Sequence, residues 1–125
     1  MRVDEVMNKA IAIDSDVSLK QAAKIMSSKN IGSLIVLKKD KIAGIVTEKD
    51  VIKNVSNLGR KISSIMAKNV LTVENNDSID NAAAIMDSRK IKRLPVLEKG
   101  KLVGIITATD IIANSDVLNE EFLFD

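Results

Sequence analysis

Two stretches of the sequence set a hydroxyl and a carboxylate three residues apart behind a glycine. They are Gly44-Ile45-Val46-Thr47-Glu48-Lys49-Asp50 and Gly104-Ile105-Ile106-Thr107-Ala108-Thr109-Asp110. A β-rich run precedes each Thr and a helical pattern follows it, so each pair falls where a strand hands over to a helix. Thr as N-cap with Asp three residues on is a variant capping box, worth about 1 kcal/mol to its own helix. The same spacing also suits a ligand. A helix N-terminus offers N–H groups and partial positive charge to a phosphate. A carboxylate there accepts hydrogen bonds from both hydroxyls of a ribose. The glycine leaves space for a ligand or another chain segment to come close. On residue types alone, the capping and ligand readings stand level.

Other chemistry is thinly supplied. The 125 residues contain no His and no Cys. That excludes a thiol nucleophile, a His-based triad, a disulfide scaffold and an ordinary zinc site. A carboxylate pair or a Lys or Ser nucleophile remains formally open, but nothing supplies Asp50 or Asp110 with a companion nucleophile, so no catalytic residue and no metal ligand is assigned. Net charge is +2. Residues 1–60 hold 11 Lys+Arg against 7 Asp+Glu, and residues 61–125 hold 8 against 10, giving +4 and −2. The densest cationic run, Arg89-Lys90-Ile91-Lys92-Arg93, raises a nucleic-acid-binding alternative. Against it, the only aromatics are Phe122 and Phe124, so no stacking platform for single strands is visible.

The elements that must hold the two pairs come from a duplication. Shifted by 60 positions, residues 16–54 match their partners at 18 of 39 positions, among them Ser18, Ala22, Ala23, Met26, Leu34, Val36, Gly44, Thr47 and Asp50. Val3 to Met7 match Ile62 to Met66 at an offset of 59, so the second copy gains one residue near Asn69. Each copy reads βαββα. A first strand is expected at Ala10 to Ile13 and Val70 to Val73. Ser18-Leu19-Lys20-Gln21 has capping-box spacing and opens a helix with Leu19, Ala22, Ala23 and Met26 on one face. Ser78, Ile79, Ala82, Ala83 and Met86 repeat it, with Asn81 the poorer box partner. Strands follow at Ser33 to Leu37 and Ile42 to Thr47, then at Leu94 to Leu97 and Leu102 to Thr107, where Gly100 suits a hairpin turn. A second helix carries Val51, Ile52 and Val55 in one copy and Ile111 and Ile112 in the other. Met7, Met26, Met66 and Met86 read as core filler. Pro95 either lines a pocket or protects a strand edge.

The duplicated unit, its 60-residue period and its G-h-h-T-x-x-D ending resemble a tandem pair of cystathionine β-synthase (CBS) domains, a Bateman module. Met66-Ala67-Lys68-Asn69-Val70-Leu71-Thr72-Val73 and Ile91-Lys92-Arg93-Leu94-Pro95-Val96 add to the resemblance, which runs from about Val3 to Asn114. It implies an α/β (α+β) fold of two βαββα repeats, residues 1–57 and 58–115, related by a pseudo-two-fold axis in one compact module, with a tail at 116–125. It further implies a stand-alone, non-catalytic regulatory sensor that binds AMP, ADP, ATP or S-adenosylmethionine, takes no other cofactor, forms a homodimer and acts in trans on a protein partner.

Residue by residue, Thr47 and Asp50 match the family's phosphate- and ribose-contacting pair, completed by Val70, Ile91, Lys92 and Arg93. Thr107 and Asp110 match the second pair, completed by Ala10, Ile31, Gly32 and Ser33. Lys92 and Arg93 would make the Thr47/Asp50 cleft the tighter one for a phosphorylated ligand, although surface cations are more commonly just solvated. A purely structural dimerisation unit remains an alternative. No apolar stretch approaches the ~20 residues of a membrane-spanning helix, and Met1 to Glu5 lack a signal peptide's apolar core, so a cytoplasmic setting is expected. The tail, with Phe122 and Phe124 among acidic residues, is expected to pack on its own domain or dock on a partner.

Overall fold

The computed structural model describes residues 1–114; the expectations for the tail lie outside the described residues. The described residues form two compact units, one of residues 11–70 and one joining residues 1–10 to residues 71–114. Each holds one three-stranded sheet with helices, a mixed α+β architecture.

In the 11–70 unit, strand β1 (Ala12–Asp14) pairs in parallel with β2 (Ser33–Lys38), and β2 pairs antiparallel with β3 (Lys41–Thr47). Helix α2 (Leu19–Lys29) crosses from β1 to β2, and α3 (Glu48–Lys53) follows β3. The full capping box forms at Ser18: its hydroxyl accepts from the Gln21 amide at 3.1 Å, and Gln21 Oε1 accepts from the Ser18 amide at 3.0 Å. The helix ends on Asn30 in the left-handed region, with the Ile31 amide donating to Met26 O at 3.0 Å. That closure turns Ile31 toward the core and starts β2. Leu19, Ala22, Met26, Leu34, Val36, Val46 and Ile62 form the buried centre.

The other unit repeats the plan: β4 (Val73–Glu74), α4 (Ile79–Arg89), β5 (Arg93–Glu98), β6 (Lys101–Thr107) and α5 (Ala108–Ala113). A short helix α1 (Val3–Val6) precedes everything in the chain, yet its Val3 is fully buried with Val73, Ile79, Ala82, Met86, Leu94, Val96 and Ile106. Asn81 is indeed the weaker box partner. Its amide still donates to Ser78 Oγ at 3.0 Å, but its short side chain turns to Asp77, whose Oδ1 takes the Ser78 amide at 2.8 Å.

The first strand of each copy starts later than its apolar residues suggested, at Ala12 and Val73 rather than Ala10 and Val70. In the first unit the Ile35 amide reaches Ile11 O at 3.0 Å. The matching residue, Pro95, has no N–H to give, and β4 is one residue shorter than β1. Pro95 therefore sits in the middle strand, opposite Ile105 on one side and just ahead of the parallel ladder on the other.

Candidate functional site

Each Thr closes a sheet strand and caps a short helix, so the strand ladder and the helix together fix its corner. At the first corner Ser33 stands opposite Thr47, and the Glu48 amide donates to Gly32 O at 3.1 Å. Asp50 Oδ2 accepts from the Thr47 amide at 2.8 Å and from the Thr47 hydroxyl at 3.3 Å. At the second corner Arg93 stands opposite Thr107, and the Ala108 amide donates to Lys92 O at 2.8 Å. Asp110 Oδ2 accepts from the Thr107 amide at 2.9 Å and hydroxyl at 2.8 Å, and the Asp110 amide returns a bond to Thr107 Oγ1 at 3.2 Å. Asn54 and Asn114 then close the two helices, each side-chain amide donating to the carbonyl of the Asp at 2.8 Å.

The capping geometry is thus real, and it consumes much of what a helix N-terminus would offer an anion. The first helical amide of each corner is bound to the carbonyl just ahead of a strand, that of Gly32 or Lys92, and at the second corner the Asp110 amide is bound as well. Capping nevertheless engages only one oxygen of each carboxylate. Among the described residues, every hydrogen bond to Asp50 and Asp110 side chains ends on Oδ2. The cap orients the carboxylate and leaves Oδ1 able to accept further donors.

The surroundings differ between corners. Glu48 lies against Gly32, its carboxylate carbon 3.5 Å from where a Cβ would stand, so the first corner carries extra negative charge on its own unit. The second has Ala108 in place of Glu48 and Lys92 in place of Gly32. Lys92 is exposed, whereas Arg93 is half-buried, its enclosed Nε without a partner among the described residues. Ile31 packs on the core edge of the first unit and Ile91 on that of the second. Val70 closes the 11–70 unit, and Ala10 belongs to the other. Both Val70 and Ala10 are half-buried. Within each unit the structure thus brings Ile31, Gly32 and Ser33 beside Thr47 and Asp50, and Ile91, Lys92 and Arg93 beside Thr107 and Asp110.

Sequence reading passed over the segments that line the outer strands. Asn8 and Ile105 exchange backbone bonds of 2.8 and 2.9 Å, and Ala67 and Ile45 exchange bonds of 2.9 and 3.0 Å. Asn8 Nδ2 also donates to Asp110 Oδ2 at 2.8 Å. The offset-59 match of Val3–Met7 with Ile62–Met66 was the available signal, since equivalent segments take equivalent places. Among the described residues there is no group of three or more metal-ligating side chains, and no helix is long and apolar enough to cross a membrane.

Comparison with known proteins decides the family. The model of the CBS domain matches twice, at residues 3–57 and 62–116. The chain belongs to the CBS-domain family. An uncharacterised protein of Methanocaldococcus jannaschii is 32% identical over 101 residues, covering 80% of this chain and 34% of its own length. The inosine-5'-monophosphate dehydrogenase of Thermoplasma acidophilum is 36% identical over 110 residues, 86% of this chain and 22% of the enzyme. The chain thus spans about a third or less of these relatives, and the match to the dehydrogenase takes in only a minor part of that enzyme. Among solved structures, the CBS domain pair of protein MJ0100 in complex with 5'-methylthioadenosine and S-adenosyl-L-methionine has a TM-score of 0.85 at 29% identity. It covers 97% of this chain and 98% of that one. An AMP complex of a CBS domain protein from Pyrobaculum aerophilum shares the fold, with a TM-score of 0.84 at 19% identity and complete coverage of both chains.

Proposed function

We propose that this CBS pair is a non-catalytic regulatory module that binds an adenosine-bearing ligand through its Thr–Asp corners and passes the bound state to a partner in trans. The ligands considered are AMP, ADP, ATP and S-adenosylmethionine, with energy sensing as the role if the phosphorylated ones win. The observation that carries the reading is the half-used carboxylate: Oδ2 is tied down by its own Thr while Oδ1 is left to accept a ribose hydroxyl. The two ligands of the MJ0100 pair share adenosine, the part that a ribose-gripping carboxylate would recognise. Lys92 and Arg93 are the cationic donors proposed for a phosphate, Arg93 because its enclosed Nε has no partner among the described residues. Exposed Ile52 on α3 borders a groove of about 400 Å³ in the 11–70 unit, lined by Ala23, Met26, Ile31 and Val51 among others, and Val55 just past α3 and Ile112 on α5 are exposed as well; these apolar surfaces support the proposed homodimer.

Calorimetric unfolding with AMP, ATP or S-adenosylmethionine tests the reading. A ligand at about 100 times its Kd adds about 2.7 kcal/mol of stability. The double variant Asp50→Asn/Asp110→Asn keeps a capping acceptor at each corner but removes both carboxylates, and is expected to lose the ligand shift. If no ligand moves the wild-type transition, the module is not an adenosine sensor. The nucleic-acid alternative predicts duplex binding that weakens steeply with salt, and gel shifts that stay empty at low salt dispose of it.

A further inference from the structure

The two corners share a motif but not a chemistry, and the difference traces to one side chain. Asn8 and Ala67 occupy matching positions: each exchanges a backbone bond pair with the residue after the motif glycine, Ile105 or Ile45. Each follows a Met packed on that glycine, Met7 on Gly104 and Met66 on Gly44. At Ala67 only a methyl group is present. At Asn8 the side-chain amide donates to Asp110 Oδ2 at 2.8 Å, the third donor on that one oxygen after the Thr107 amide and hydroxyl. Asp50 Oδ2 has two donors, the longer at 3.3 Å.

We propose that Asn8 sets the affinity of its corner by competing with the ribose diol for the Asp110 carboxylate, making the Asp110 corner the weaker of the two. The inference rests on the adenosine-ligand reading above. A vicinal diol donates two hydrogen bonds, and a carboxylate receives both well when neither oxygen is crowded. Asp50 comes closer to that condition, because Oδ2 has one donor fewer and the Thr47 hydroxyl, at 3.3 Å, is a long bond that can turn away. Asp110 has its Oδ2 saturated, so a ribose there must either bind through Oδ1 alone or displace the Asn8 amide. Displacement forfeits a hydrogen bond to a charged acceptor, lowering affinity by about fivefold at an exposed position. Because Asn8 is held by its backbone to β6, its side chain starts from a fixed point within reach of the Asp110 carboxylate.

The test is a titration of the ¹⁵N-labelled chain with AMP and, separately, S-adenosylmethionine, reading a dissociation constant at each corner from the Thr47 and Thr107 amides. Asn8→Ala is expected to tighten binding at Thr107 by about fivefold and leave Thr47 unchanged. Ala67→Asn, which installs the amide at the other corner on an equivalent backbone pairing, is expected to weaken Thr47 binding to a similar degree. If Asn8→Ala leaves the Thr107 constant unchanged or weakens it, or if Ala67→Asn leaves Thr47 untouched, Asn8 is not the competitor and the adenosine reading stands without it. If neither ligand moves either amide in the wild type, both fall together.

Discussion

At the scale of single residues, the motif glycines act on the chain and not on a ligand. A Cβ on Gly44 would stand 2.6 Å from Met66 Sδ and 2.7 Å from Ala67 O; on Gly104 it would stand 2.6 Å from Met7 Sδ and 2.9 Å from Asn8 O. The methionine tip can swing, but the carbonyl is held in a bridge and cannot. Gly44→Ala is therefore expected to cost about 1–3 kcal/mol through overpacking, read as a lower urea midpoint. An unchanged midpoint would show that the Met66–Ala67 segment gives way freely. The sequence marked these glycines as places of close approach and left the approaching partner open. Spacing alone does not reveal it, because Met66 follows Gly44 by more than twenty residues.

The Thr–Asp pairs teach a related lesson. Capping and ligand binding appeared as rival explanations of one spacing, but a carboxylate has two oxygens. Here the cap holds one and thereby aims the other. The residue that separates the corners, Asn8, lies outside the motif and was invisible to motif reading. Its relevance depends on a backbone pairing with Ile105 that no local pattern encodes.

At the scale of elements, the longer helices and the hairpins followed directly from periodicity and caps, because their determinants are local, whereas Val55, read as part of the second helix, lies in a turn beyond α3, which Asn54 closes after Lys53. Ser18 and Gln21 lie within one turn, and the residues of each β-hairpin are adjacent in sequence. The first strands were misplaced by two or three residues because their limits depend on a distant donor, which Ile35 supplies and Pro95 lacks.

The hairpin turns allow a direct test of local chemistry. Both are two-residue loops with positive φ at both positions: Lys39 (52°) and Asp40 (63°) in one, Lys99 (51°) and Gly100 (80°) in the other. Only the second has glycine where the left-handed conformation favours it. Asp40→Gly is expected to raise stability by about 0.5–1 kcal/mol by removing a side chain from that region, measured as an increase in the urea midpoint. A decrease would mean that Asp40 makes an interaction worth more than its backbone strain.

At the scale of the whole molecule, sequence repeats and compact units are out of phase. The repeat begins near Val3 and recurs near Ile62, but Val3 is buried among residues of the second half and Ile62 among those of the first. Self-comparison finds which residues are equivalent; it does not say which of two equivalent segments packs on which core.

Two fragments of equal length separate these ideas. Residues 1–60 contain one whole sequence repeat but lack Ile62, Ile65 and Met66, which pack on the first core. Residues 11–70 contain that core complete, with the Ala67–Ile45 bridge and the Ile62 amide bound to Val17 O at 2.9 Å. A chain of about 60 residues is marginal, and losing one fully buried Ile costs about 2–5 kcal/mol, enough to remove a stability of that order. The 11–70 fragment is therefore expected to show dispersed amide resonances and a cooperative urea transition, and the 1–60 fragment neither. Equal behaviour of the two would mean that the linker segments are passengers on cores already complete without them.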